Sequence, residues 1–177
     1  MVAATFAQAT AYLQANPGAS PQAILNVREG AQNKHGLGLS LEQELAPQVG
    51  VFLRAMQADG RTETVAFTEA DASLSTGFLL QGGLWGRAQD RVGVAYARNQ
   101  ISSDRRAYLA AGGLSFFIGD GAGNFSYKSE NILESFYSLG VTKNSWVTLD
   151  WQRIANPAYN SLRGPVNVYA VRLHTEF

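Results

Sequence analysis

The chain has 177 residues with 14 basic and 14 acidic side chains, and this balance does not indicate a nucleic-acid binder, which usually carries a basic surplus. The absence of cysteine excludes disulfides, thiol nucleophiles and cysteine-based zinc sites, and two histidines leave little for a histidine metal cluster. The 18 glycines, the aromatic content of 11% and the mean hydropathy of −0.10 favour a β-rich protein, soluble or in an outer membrane, over a bundle of membrane helices.

The first 35 residues are predicted to form a helical or irregular segment. Apolar residues recur at helical spacing from Phe6 to Leu13, and the Asn16-Pro17-Gly18 sequence ends that pattern. Ser20-Pro21 is suited to begin a short second helix that ends near Gly30, and a loop is the alternative. Polar residues and prolines interrupt this segment, so no secretory signal peptide is predicted. No run of about 20 apolar residues predicts a membrane-spanning helix.

From Gly36 onward the hydrophobic pattern has a period of two, which predicts β-strands. Seven segments show the alternation: 37–45, 49–56, 69–81, 92–97, 130–141, 147–152 and 169–177. One face of these strands carries charged residues and the other is mostly apolar. A soluble sandwich also has one apolar face per strand, so the alternation alone does not decide between a sandwich and a membrane barrel.

The connections between the strands favour a membrane barrel. Short connections at 46–48, 83–89 and 142–145 alternate with more polar, mostly longer loops at 59–63, 102–129 and 156–164. Outer-membrane barrels have this alternation of short periplasmic turns and long outer loops. Aromatic residues near strand ends are typical of the interfacial girdles of such barrels: Trp85, Trp146 and Phe177. The fold class predicted is therefore an all-β, antiparallel transmembrane barrel portion over residues 36–177, preceded by the segment 1–35.

The number of strands raises a question of closure. If the C-terminus lies in the periplasm, the first of seven strands begins outside the cell, and seven strands leave an unpaired edge in lipid. Either the first 35 residues contain an eighth strand, or the strands belong to a larger barrel. We favour the larger barrel.

Six motifs follow one another in this region: GVFLRAMQADGRTETVAFTEAD at 50–71, GGLWGRAQDRVGVA at 82–95, RAYLAAGGL at 106–114, IGDG at 118–121, NPAYNSLRGP at 156–165 and RLHTEF at 172–177. In this order they resemble the C-terminal part of the carbohydrate-selective porins of the OprB type. The resemblance covers residues 36–177 and only the latter part of a family member, so the chain is interpreted as a porin fragment. It implies a barrel of about sixteen strands, passive passage of sugars across the Gram-negative outer membrane, and frequent assembly as trimers.

A sugar pore needs hydrogen-bonding groups along its wall and a narrow place, since pore diameter and lining groups set selectivity. The predicted wall residues are Glu42, Arg54, Asp71, Glu130, Glu134, Asp150, Gln152, Arg172 and His174. The alternative is that these side chains only pair with one another as a scaffold. The long loop 102–129 is predicted either to narrow the channel or to cap its mouth. Its candidate constriction residues are Asp104, Arg105, Arg106 and Asp120.

No enzyme activity, cofactor or metal is expected. His174 with Ser135 or Ser138 and Glu134 or Glu176 is a possible hydrolase set, but no Gly-x-Ser-x-Gly sequence accompanies it. Phe177, an aromatic C-terminus after alternating apolar residues, resembles the signal that the barrel assembly machinery reads. The expected partners are carbohydrates, outer-membrane lipid, that machinery and a homotrimer, with no nucleic acid. The alternative function is a small closed barrel of about eight strands that conducts nothing and has a structural or binding role.

Overall fold

The computed structural model describes residues 3–64, 69–114, 117 and 124–177. Within these residues there are two α-helices, α1 (Phe6–Ala15) and α2 (Ser103–Ala110). Three 3-10 turns span Ala23–Val27, Gly82–Trp85 and Pro157–Tyr159. The seven strands are β1 (Gly36–Ala46), β2 (Val49–Ala58), β3 (Ala72–Gln81), β4 (Arg91–Gln100), β5 (Glu130–Thr142), β6 (Ser145–Ala155) and β7 (Val166–Thr175).

The strands form one antiparallel sheet in the order β1-β2-β3-β4-β5-β6-β7, which confirms the predicted fold class. Each strand pairs with the next one along the chain, and within the described residues β1 and β7 do not pair with each other. The sheet is therefore open, unlike the small closed barrel considered as the alternative. Because the number of strands is odd, the two edge strands run in the same direction.

The pairing register separates the sheet into two faces. Ser40 of β1 pairs with Arg54, which pairs with Ser75, which pairs with Ala97. We call the face that carries this row the polar face. The opposite face, here named the apolar face, carries most of the large exposed hydrophobic side chains of the strands: Leu37, Leu39, Leu41, Leu53, Leu74, Phe78, Tyr96, Leu133, Leu139, Leu149, Tyr169, Val171 and Leu173. A sheet that exposes so many large apolar side chains on one face is typical of a lipid-facing surface.

The buried residues of the described chain lie mostly at one end of the sheet rather than on either face. One cluster joins Phe6 and Ala9 of α1 with Ile24 and with Tyr108 of α2. The segments that meet at this end are 3–35, 59–64, 69–71, 101–114, 117, 124–129 and 156–165, and we call them the loop cluster. The described parts of the predicted long loops therefore pack together, with the N-terminal segment among them.

Residues 3–35 contain two helices and no strand, which answers the question of an eighth strand for the part of this segment that is described. A capping box begins α1: the Thr5 hydroxyl accepts from the Gln8 backbone N–H at 3.2 Å, and the Gln8 side chain accepts from the Thr5 N–H at 3.1 Å. The helix ends before Asn16, as the sequence predicts. The second helix is a 3-10 turn that ends at Val27, earlier than the expected end near Gly30.

Candidate functional site

Eight of the nine predicted wall residues lie on the polar face. They are Glu42 in β1, Arg54 in β2, Glu130 and Glu134 in β5, Asp150 and Gln152 in β6, and Arg172 and His174 in β7. The pairing brings neighbouring members together: Glu134 lies opposite Gln152, and Arg172 lies opposite Thr148, two residues from Asp150. Alternation placed these residues on one face, and antiparallel pairing in a single register aligns them across the sheet.

Some of these side chains pair with one another. The Arg54 guanidinium donates to the Glu42 carboxylate at 2.5 Å, and both side chains are more than half exposed. An exposed ion pair adds little stability, so the pair does not explain by itself why both charges are present. The central carbon of the Arg54 guanidinium lies 5.2 Å from the centre of the Phe52 ring, so the cation lies over an aromatic ring on the polar face.

Glu130 connects the polar face with the loop cluster. Its carboxylate accepts from the Ala158 backbone N–H at 2.9 Å and from the Asn99 side-chain amide at 3.4 Å. Ser73 donates in turn to the Asn99 side-chain oxygen at 2.7 Å. This chain of hydrogen bonds fixes the turn at 157–159 above the ends of three strands, so part of the function of Glu130 is to position that loop.

His174 is engaged with an acid and an aromatic ring, but not with a serine. Its Nε2 lies 3.1 Å from Glu176 Oε1, and its ring centre lies 5.5 Å from that of Trp146. Ser138 accepts a hydrogen bond from Thr148 at 2.9 Å, and Ser135 is on the apolar face. His174 thus has an acid beside it, but neither serine considered for hydrolysis is placed as its partner.

Asp71 is placed differently from the expectation. It is 1% exposed and lies directly before β3, within the loop cluster. Its carboxylate accepts from the Ser102 backbone N–H at 2.9 Å and lies 3.7 Å from the Lys34 ammonium. A buried carboxylate with these partners stabilises the start of α2 and is not presented to the open polar face.

The constriction candidates in the long loop lie in different environments. Arg105 is fully buried, pairs with Glu69, and its guanidinium carbon lies 5.4 Å and 4.6 Å from the ring centres of Phe6 and Phe117. It therefore holds the loop cluster together and does not line an open passage. Arg106 lies 4.4 Å from the Tyr127 ring centre and is half-buried, as is Asp104. Asp120 lies outside the described residues.

Tyr159 has a packing position in the same cluster. It is 3% exposed, its ring centre lies 5.2 Å from that of Phe117, and its hydroxyl donates to the Glu69 carbonyl at 2.8 Å. Burial is the largest cause that raises the pKa of the Tyr159 phenol, and the charge of Glu130 adds to it. The phenol is thus an un-ionised structural donor.

Two phenylalanines on the polar face were not selected from the sequence. The Phe52 ring extends from β2 over Gly77 of β3, and the Phe136 ring extends from β5 over Gly93 of β4. Between them lies a groove of about 560 Å³. The sequence signal for these two residues is the alternation itself, because Phe52 alternates in step with Arg54, and Phe136 in step with Glu134.

The opposite end of the sheet is organised around a buried carboxylate in the β3–β4 turn. The hydrogen bond from Arg87, at 2.5 Å, lowers the pKa of Asp90 from 3.8 to about 2. Burial opposes this effect, and hydrogen bonds from the Tyr137 hydroxyl and from the Gly140 N–H reinforce it. Trp85 donates to the Tyr137 hydroxyl at 3.3 Å. One acid thus ties a turn, a neighbouring strand and two aromatic residues together.

Within the described residues, no group of three histidine or acidic side chains is arranged to hold a metal ion. None of the helices in the described part of the chain is long and apolar enough to cross a membrane.

Comparison with known proteins assigns the chain to a family. The model of the OprB family, described as carbohydrate-selective porins, matches residues 2–177. The match thus includes the first 35 residues, for which the sequence motifs gave no resemblance. A search of curated proteins and a search of solved structures each found no match to the chain. This family consists of outer-membrane transport channels rather than enzymes. Since its model matches essentially the whole sequence, the chain belongs to the OprB family of carbohydrate-selective porins.

Proposed function

We propose that the polar face forms part of the inner wall of an outer-membrane pore through which carbohydrates diffuse passively. One observation carries the proposal: the pairing register places the charged side chains of the strands on the polar face, except Arg98 and Arg153, and leaves leucines exposed on the apolar face. Leu37 is 85% exposed and Leu173 is 76% exposed on the apolar face, a position that is favourable in lipid and unfavourable in water.

In this proposal residues 36–177 supply strands of a larger barrel, of about sixteen strands as the family resemblance implies. The unpaired outer edges of β1 and β7 need partner strands, because each unsatisfied backbone group in lipid costs several kcal/mol. Phe177, which is fully exposed, is the proposed contact for the barrel assembly machinery, and a homotrimer is the proposed assembly.

The loop cluster forms a cap at the outer end of the wall. The packing of α2 against α1 and the burial of Arg105 support a preformed cap more than a loop that folds into the channel. Selectivity then depends on the passage that the cap leaves open and on the groups along the wall, with Asp104, Arg106 and Asp120 as the remaining candidates near the mouth.

The wall assignment is tested by flux through liposomes that contain the purified outer-membrane protein. Arg54→Gln removes an exposed cation from the polar face, and Arg153→Gln removes an exposed cation from the apolar face of β6. We expect the first change to alter glucose flux or the preference for ions, since only that charge faces the passage. Equal behaviour of the two variants and the parent protein would contradict the wall assignment.

A further inference from the structure

We propose that the groove between Phe52 and Phe136 is a binding subsite for an uncharged pyranose ring, formed on the wall and separate from any constriction at the loops. The inference rests on the proposed function, because the groove must face the passage. It assigns a position and a chemical preference that family membership does not give.

The positions of the two aromatic rings are the first argument. A Cβ atom built on Gly93 would lie 2.3, 2.5 and 3.1 Å from three atoms of the Phe136 ring, so this ring lies over the glycine. A Cβ atom on Gly77 would lie 2.6 Å from Cε1 of Phe52. Glycine allows each ring to lie close to the sheet, because a side chain at these positions would clash with the ring.

The spacing of the rings suits one sugar at a time. Gly77 pairs with Ala95 and Gly93 pairs with Leu79, so the two glycines are diagonal neighbours in the β3–β4 pair. Diagonal positions are about 7–8 Å apart in an antiparallel sheet. The two rings extend towards each other from β2 and β5, and the groove volume of about 560 Å³ lies within the usual range for small-molecule sites.

The polar residues of the groove determine the chemistry of the ligand. The charged side chains among the described residues that line it are Glu42, Glu44 and Glu134, and the Arg54 pair neutralises the first of these. Carboxylates accept hydrogen bonds from sugar hydroxyls, and the negative face of an aromatic ring attracts the C–H groups of a pyranose. The same carboxylates repel an anion. The groove therefore favours a neutral hexose over the corresponding uronate or phosphate.

The test measures glucose flux against concentration through liposomes that contain the outer-membrane protein, with glycerol flux as the measure of an open pore. Phe136→Leu keeps an apolar side chain over Gly93 and removes the ring face. We expect the glucose concentration at half-saturation to rise about 2- to 10-fold, with unchanged glycerol flux. Tyr169→Leu changes an exposed aromatic residue of the apolar face of β7 and should leave both fluxes as they are.

A second arm tests the charge preference. Glucuronate should pass more slowly than glucose, and Glu134→Gln should raise the glucuronate flux relative to that of glucose. If Phe136→Leu prevents assembly, Phe52→Leu gives the same readout at the other ring.

The outcomes separate the subsite from the proposed function. Glucose flux that rises linearly without saturation and is unaffected by either ring substitution would overturn the subsite and leave the pore intact. Equal passage of glucose and glucuronate in the parent protein and in the Glu134→Gln variant would overturn the proposed preference. A protein that passes neither glucose nor glycerol would overturn the proposed function itself.

Discussion

Replacing Arg105 by methionine should open the loop cluster while leaving the sheet in place. The substitution keeps most of the apolar volume and removes the guanidinium that contacts Phe6, Phe117 and Glu69. A charge-assisted hydrogen bond contributes about 1.5–3 kcal/mol, and each cation–π contact about 0.5–1 kcal/mol or more. The Glu69 side chain is 35% exposed and regains water in the variant. We therefore take the lower end of the sum of these contributions, one hydrogen bond and two cation–π contacts. We expect a loss of about 3 kcal/mol in the free energy of local opening.

Hydrogen exchange of the α1 and α2 amides in the detergent-solubilised protein measures this change. A loss of about 3 kcal/mol corresponds to roughly 100-fold faster exchange where exchange follows local opening. Arg61→Met, which changes an exposed arginine within the same loop cluster, is the matched control and should change little. Arg105→Lys keeps the charge but not the planar fork and should fall between the two. Unchanged exchange of α1 in Arg105→Met would refute the assignment of Arg105 as the central contact of the cluster.

Three further predictions concern the sheet and its ends. Because the pKa of Asp90 is about 2 in the folded protein and ordinarily 3.8, its stabilising effect is complete above about pH 4 and is lost as the pH falls through 2. Asp90→Asn should remove this part of the acid sensitivity, measured as the unfolding midpoint between pH 5 and 2; an unchanged pH profile would contradict the role of Asp90. Gly93→Ala should displace the Phe136 ring and reduce stability by about 1–3 kcal/mol, measured in denaturant, and a neutral result would mean that the ring does not cover the glycine. Removal of Phe177 should lower the amount of protein in the outer-membrane fraction, and normal insertion would exclude it as the assembly signal.

The strands and their faces were predictable because both depend on local pattern. Side chains alternate across a strand, so the parity of a residue such as Arg54 or Asp150 determines its face once the strand is recognised. Pairing of consecutive strands then places the polar positions of every strand on the same face of the sheet, and this needs no information from distant parts of the chain. The N-terminal helix was predictable for the same reason, since its apolar spacing and its end at Asn16 are local signals.

The roles of Asp71 and Arg105 could not be predicted in this way. In the alternating pattern Asp71 falls in the polar series, in step with the wall residues. Its surroundings, however, come from Lys34 and Ser102, which are far from it in sequence. Arg105 follows a polar helix start and gives no sign that rings from two other segments will enclose it. Such contacts depend on how loops pack, and loop packing is not encoded by a short-range period.

The direction of the edge strands limits how the wall closes. Alternate strands of an antiparallel sheet reverse direction, so β1 and β7, the first and last of seven, run the same way. Direct contact between them, within one chain or between two copies inserted in the same orientation, would place parallel strands side by side. An antiparallel seam instead requires an odd number of further strands between the two edges, as in a sixteen-stranded barrel that adds nine. The requirement follows from strand parity alone, so it holds whatever molecule supplies the additional strands.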